Sequence, residues 1–178
     1  MIKIFGNNTL HTIILAAGEG KRLKPLTQDK PKCLINLFGK SLLQHQLDVY
    51  DSCNINDISI ITGYKKDMIK FSNTSSFHNL NYQNTNMLET LFCAQEKIID
   101  SVIVAYGDII FEKKTLQALL EEEEDISVVV DSNWKKYWGI RFENPLDDAE
   151  SLKIDKQGYI QNIGQKVDDL EEIQGQYI

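Results

Sequence analysis

Apolar positions along the chain follow two rhythms. The run Thr12-Ile-Ile-Leu-Ala-Ala17 is almost continuously apolar, rich in β-branched residues and closed by Gly18, the pattern of a strand buried on both faces. Residues 58–62, ending at Gly63, and 102–106, ending at Gly107-Asp108, repeat it. Between these runs the period lengthens. Leu43, Leu47 and Tyr50 predict a helix starting at Ser41, and Leu88, Leu91 and Phe92 share one face of a helix predicted over 87–99. Shorter helices are expected over 65–71 and 115–123, and a further strand over 126–131. Residues 33–37 read as a short strand before the turn Phe38-Gly39-Lys40. The polar stretch 72–84 reads as a loop with a short strand near 80–82. Beyond Asp131 the pattern changes: 139–143, 151–155 and 159–163 predict short antiparallel strands, with Lys156-Gln157-Gly158 as a turn. Strands alternating with helices predict an α/β fold with a mostly parallel central sheet and an antiparallel addition.

Length and composition narrow the picture. At 178 residues the chain is expected to form a single domain, 1–178. A net charge of -7 argues against a general nucleic-acid partner, which needs a basic face. No segment is long and apolar enough for a membrane span, and the start lacks a signal-peptide pattern, so the expected location is the cytoplasm. Cys33, Cys53 and Cys93 form no CxxC pair and suggest neither zinc nor a disulfide framework. The acidic run from Glu121 to Asp125 reads as a solvated face.

Charge is distributed unevenly. Lys21, Arg22, Lys24, Lys30, Lys32 and Lys40 fall in one short stretch opposed only by Glu19 and Asp29, in an otherwise acidic protein. The stretch follows the first parallel strand, at the sheet edge where open α/β folds bind ligands. Gly18 and Gly20 let backbone N–H groups approach phosphate oxygens. Arg22 offers a fork of donors, Lys32 a compact charge, and Pro25 and Pro31 stiffen the loop. A dinucleotide fingerprint fails because position 23 is Leu23, and the spacing of a P-loop is absent.

Leu15-Ala-Ala-Gly-Glu-Gly-Lys-Arg-Leu-Lys-Pro-Leu-Thr27, followed by Lys30-Pro-Lys-Cys-Leu34, resembles the signature of the nucleotidyltransferase superfamily of the nucleotide-diphospho-sugar transferase type. The resemblance implies a Rossmann-like three-layer fold. It implies a nucleotide lined by Leu15, Ala16, Ala17, Gly18, Glu19, Gly20 and Lys21, with Gly107 nearby. Arg22 would contact the β- and γ-phosphates, and Lys32 would bridge the α-phosphate and the incoming phosphate as the second catalytic residue. Asp108 stands where the family holds Mg²⁺, and a carboxylate after a buried strand suits that oxygen-seeking ion.

The stretch Tyr82-Gln-Asn-Thr-Asn-Met-Leu-Glu-Thr-Leu91 is similar to cytidylyltransferases that activate phosphocholine or phosphonates. Asp131 to Arg141 resembles cytidylyltransferases of capsule or surface-polysaccharide and phosphonate pathways, which implies phosphoglutamine, phosphocholine or aminoethylphosphonate as acceptor. The first stretch favours CTP, with Gln83, Asn84 and Asn86 near the base or ribose. Asn86 and Glu89 also form an N-x-x-E capping box, and the two roles can coexist. Asp131, Trp134, Trp138 and Arg141 are candidates for binding a small phosphorylated acceptor, with the alternative that the tryptophans are packing anchors. A UTP- or dTTP-dependent hexose-1-phosphate transferase and an inactive nucleotide-binding or regulatory module stay open, as does a homo-oligomer. Family members take a second metal carboxylate from far downstream. Asp168, Asp169, Glu171 and Glu172 are the acids nearby, no motif assigns any of them, and a C-terminally incomplete domain is expected.

Overall fold

The computed structural model describes residues 1–6 and 9–177. These form two compact units, Met1–Ser127 and Val128–Ile178. The first contains β1 (Ile2–Ile4), β2 (Leu10–Ala16), β3 (Asn36–Leu37), β4 (Lys40–Ser41), α1 (Leu42–Ser52), β5 (Ile58–Thr62), β6 (Ser75–His78), α2 (Met87–Phe92), β7 (Ser101–Tyr106) and α3 (Lys113–Glu121), and β8 (Ile126–Val128) runs across the boundary in sequence. A six-stranded sheet runs in the order β6-β5-β2-β7-β1-β8. β2 pairs in parallel with both β5 and β7, and β5 with β6, whereas β1 runs antiparallel to β7. The expected α/β architecture, mostly parallel with antiparallel additions, is what the chain adopts.

The continuous apolar runs became the middle of the sheet because both their faces are covered. Ile13, Ile61, Ala94 and Val102 make one buried cluster, with Leu15, Phe77 and Leu91 packed against it. Ser41 caps α1 by accepting the Gln44 N–H at 3.1 Å. The buried stripe of α1 is Leu43, Gln46 and Tyr50, so a glutamine takes a core position that apolar periodicity does not reveal.

Several local expectations are corrected. Residues 33–37 begin as a 3₁₀ turn, Lys32–Leu34, that buries Cys33, and only Asn36–Leu37 is extended. The edge strand of 72–84 is Ser75–His78 rather than 80–82, because buried Asn79 gathers the following segment into turns. Its Nδ2 donates to Thr85 Oγ1 at 2.8 Å and Thr90 Oγ1 at 2.9 Å, and its Oδ1 accepts the Asn81 N–H at 2.9 Å. α2 stops at Phe92, leaving Leu88 and Phe92 exposed while Thr90 is buried. Only Lys66–Met68 is helical within 65–71, as a 3₁₀ turn. The acidic run 121–125 is exposed throughout.

The second unit holds β9 (Val130–Asp131), α4 (Trp134–Arg141), β10 (Leu152–Ile154), β11 (Ile160–Ile163) and β12 (Gln176–Tyr177). β10 and β11 form the expected antiparallel pair, and β12 pairs antiparallel with β9. The strand expected over 139–143 is instead the end of α4 and the residues after it. Trp134 and Trp138 stand one helical turn apart, and burying both against Ala149 and Ile173 favours the helix.

Candidate active site

A pocket of about 540 Å³ opens at the carboxyl ends of β2 and β7, the edge of a parallel sheet where ligands bind. Leu15, Ala16, Ala17, Gly18 and Gly20 form one wall. Tyr106, Gly107 and Asp108 form a second, and Tyr82, Thr85, Asn86, Met87 and Thr90 a third. Lys32 and Cys33 complete the lining. A smaller hollow of about 330 Å³ is bounded by Glu19, Gly20, Lys21, Arg22, Leu23, Lys32, Tyr82 and Gln83. Gly20, Lys32 and Tyr82 border both spaces. One space is mainly apolar and suits a base and sugar; the other carries three cationic side chains and suits phosphates.

The backbone makes these approaches possible. Gly20 has φ +64, in the left-handed region, and a Cβ there would come within 3.0 Å of the Lys32 Cβ. Buried Thr27 donates its hydroxyl to the Gly20 carbonyl at 2.9 Å, folding the loop back on its own start. Tyr64 donates its hydroxyl to the Gln28 carbonyl at 2.9 Å and its N–H to the Ala17 carbonyl at 2.9 Å, so the segment after β5 holds both ends of the loop. At Gly63 a Cβ would stand 2.7 Å from the Ala17 oxygen and 2.8 Å from the Tyr82 ring, so only glycine lets Tyr82 pack there.

Charges within the site are paired. Lys32 Nζ forms an ion pair with the Asp108 carboxylate. Lys21 lies 3.5 Å from Glu19, whose Oε1 accepts a hydrogen bond from Gln83 Nε2 at 3.0 Å. That bond joins the glycine loop to the turn before α2. Burial pushes the Cys33 thiol up to about 12, a backbone hydrogen bond opposes the shift, and the nearby Asp108 charge adds to it. Cys33 is therefore a neutral lining group rather than a nucleophile.

Most expected nucleotide residues are brought together. Leu15, Ala16, Ala17, Gly18, Gly20, Asn86, Gly107, Asp108 and Lys32 surround the larger space, and Glu19, Lys21, Arg22 and Gln83 the smaller. Asn84 borders neither; it is exposed, and its amide donates to Asn81 Oδ1 at 2.9 Å within a turn. Asn86 caps α2, its Oδ1 accepting the Glu89 N–H at 3.0 Å, and faces the pocket as well. In the second unit, Trp134 and Trp138 are 1% and 8% exposed, so they are spent on packing rather than displayed as an aromatic wall. Arg141 lies over the rings of Tyr137, Trp138 and Phe142, and the Asp131 carboxylate accepts the Asn133 N–H at 2.8 Å. Tyr82, Thr85 and Thr90 are pocket residues that the sequence did not single out. The helical spacing from Asn86 to Thr90 was the available signal.

Asp108 meets one requirement of a magnesium site, a hard oxygen donor in the lining of the larger pocket, beside the Lys32 that borders both spaces. Among the described residues no cluster of three His, Cys, Asp or Glu side chains exists. Magnesium is commonly held by one or two carboxylates together with phosphate oxygens, and Asp108 is the carboxylate in the lining of the larger pocket.

A model of the MobA-like NTP transferase domain matches residues 12–159. The chain belongs to the MobA-like NTP transferase family. This nucleotidyltransferase domain is 38% identical to the CTP:phosphoglutamine cytidylyltransferase of Campylobacter jejuni over 95% of its own length and 71% of that protein's. It is 31% identical to the choline-phosphate cytidylyltransferase of Streptococcus pneumoniae over 58% of its length, spanning 47% of that relative. The solved structure of a CTP:phosphocholine cytidylyltransferase from Streptococcus pneumoniae superposes with a TM-score of 0.64 at 21% identity, covering 94% of this nucleotidyltransferase domain and 66% of that chain, which shows a shared fold.

Proposed function

We propose that the chain transfers CMP from CTP to a phosphorylated small-molecule acceptor and releases pyrophosphate. The observation that carries this is the position of Lys32, on the border of the apolar pocket and the cationic hollow and beside Asp108. An ammonium there lies where the α-phosphate of a nucleotide spanning both spaces would fall. Arg22 and Lys21 would hold the β- and γ-phosphates, and Gln83 and Asn86 would meet the base or ribose. The Campylobacter relative supports CTP as donor and a phosphoglutamine-type acceptor.

The reaction is an in-line displacement. An acceptor phosphate oxygen forms a bond to the α-phosphorus while the bond to the bridging oxygen breaks, and pyrophosphate leaves with its electron pair. A phosphomonoester has a second pKa of about 6 and is ionised at neutral pH, so no general base is needed. Lys32 would neutralise charge on the α-phosphate and align the attacking oxygen, and Arg22 would stabilise the leaving group. Asp108, together with triphosphate oxygens, would hold Mg²⁺, which supplies further charge neutralisation when bound. Among the described residues no helix is long and apolar enough to cross a membrane. The proposed setting is the cytoplasm, in a pathway that builds surface polysaccharide.

Pyrophosphate release measured with each of CTP, UTP, dTTP and ATP, against phosphoglutamine, phosphocholine, aminoethylphosphonate and glucose 1-phosphate, tests the proposal. Turnover with CTP alone is expected. Turnover confined to UTP or dTTP with the sugar phosphate, or nucleotide binding with no turnover, overturns it.

A further inference from the structure

Within the apolar stripe of α1, Gln46 is 1% exposed. Its Nε2 donates to the Tyr106 carbonyl at 2.8 Å and to the Ile109 carbonyl at 2.9 Å, the two carbonyls that bracket Gly107-Asp108. Both amide hydrogens are thereby used. The orientation of the amide is fixed, because reversing it would set Oε1 against two carbonyl oxygens. Oε1 is itself buried and, among the described residues, has no hydrogen-bond partner. A buried oxygen left this way costs stability, which a methionine or leucine of similar volume would avoid. The presence of glutamine is explained by what its NH₂ group holds.

It holds the turn that presents Asp108. The same turn is tied on its other side, where the Gly107 N–H donates to the Leu15 carbonyl at 2.8 Å and a Cβ on Gly107 would come within 3.0 Å of the Ala16 Cβ. The backbone around Asp108 is thus fixed from β2 by Gly107 and from α1 by Gln46. We infer that Gln46 is a positioning residue for Asp108, setting its carboxylate where it shares Mg²⁺ with the triphosphate. The inference rests on the function proposed above.

Calorimetric titration of CTP with and without Mg²⁺ tests it on three proteins: wild type, Gln46→Met and Tyr50→Phe. Gln46→Met removes both donors at similar volume. Tyr50→Phe is a control one turn along the same helix, where, among the described residues, the hydroxyl contact to Met1 Sδ is what is lost. In the wild type Mg²⁺ is expected to tighten CTP binding. Gln46→Met is expected to bind metal-free CTP as the wild type does and to lose about tenfold or more of the Mg²⁺ enhancement, the scale on which outer-shell partners tune metal sites. Tyr50→Phe keeps the enhancement. An unchanged enhancement in Gln46→Met, or an equal loss in Tyr50→Phe, overturns the inference and leaves the proposed function standing. A wild type with no enhancement overturns the metal assignment and this inference together. Should Gln46→Met not fold, the wild type provides the test: the Gln46 side-chain amide protons should exchange slowly and shift when CTP and Mg²⁺ are added. Exchange as fast as that of the exposed Gln28 amide overturns the inference.

Discussion

Lys32 and Asp108 neutralise each other on the wall of the larger pocket. Their side chains are 35% and 29% exposed, so water screens the pair and it contributes about 1 kcal/mol or less. A ligand with several negative charges can therefore draw Lys32 away at small cost, releasing Asp108 for a cation. The pair keeps two opposite charges stored where a charged ligand is expected to need both.

Replacing Lys32 with alanine should lower kcat by about 10²-fold or more, the scale for losing a group that stabilises developing charge. Steady-state pyrophosphate release with CTP and phosphoglutamine measures this. Turnover near that of the wild type would remove Lys32 from the chemistry.

The opposite partner gives a prediction of opposite sign. Asp108→Asn frees Lys32 from its counter-charge, so CTP should bind about two- to fivefold more tightly in the absence of metal. The same substitution should abolish the gain from Mg²⁺. Weaker metal-free binding, measured by calorimetry, would show that Lys32 does not reach the nucleotide.

Asn86 performs its cap with Oδ1 alone. Asn86→Asp retains that acceptor and should leave thermal stability close to wild type, yet lose the amide donor and weaken CTP binding. Asn86→Ala should cost about 1 kcal/mol of stability in addition. Denaturant unfolding alongside CTP titration separates the two roles. Equal CTP affinity in Asn86→Asp and wild type would confine the residue to capping.

The Cys33 thiol, raised by burial from 9.0 to about 12, gives a pH dependence. Between those values the unfolded chain has released a proton that the folded chain keeps. Stability from this group is therefore full below 9.0 and declines as pH rises toward 12. Urea midpoints of wild type should fall more steeply across that range than those of Cys33→Ala. Parallel slopes would contradict the assigned burial.

The sheet and the glycine- and lysine-rich loop were legible because they rest on local signals. β2, β5 and β7 are continuous apolar runs, and the charges of Lys21, Arg22 and Lys32 stand out in an acidic chain. What stayed hidden depends on distant partners. β1 is three residues long and becomes a strand by pairing with β7, a relationship no short window contains. Asn79 and Gln46 look like surface residues by type, and their burial follows from hydrogen bonds to Thr90 and Tyr106. The helix at Trp134 was legible in principle. The four-residue spacing to Trp138 was present, but Gly139, Ile140 and Phe142 suggested a strand instead.

Gly18 to Lys32 reads in the sequence as a long loop, and it folds as a chain of closed turns. Leu23, Leu26 and Gln28 each donate an N–H three residues back, at 2.9, 2.9 and 3.0 Å, while Thr27 and Pro31 are buried. The entropy of ordering this segment has been met during folding, not at the moment a ligand arrives. Binding of a phosphate-bearing ligand is therefore expected to proceed without a disorder-to-order transition of this backbone, while the Lys32 side chain has still to leave Asp108.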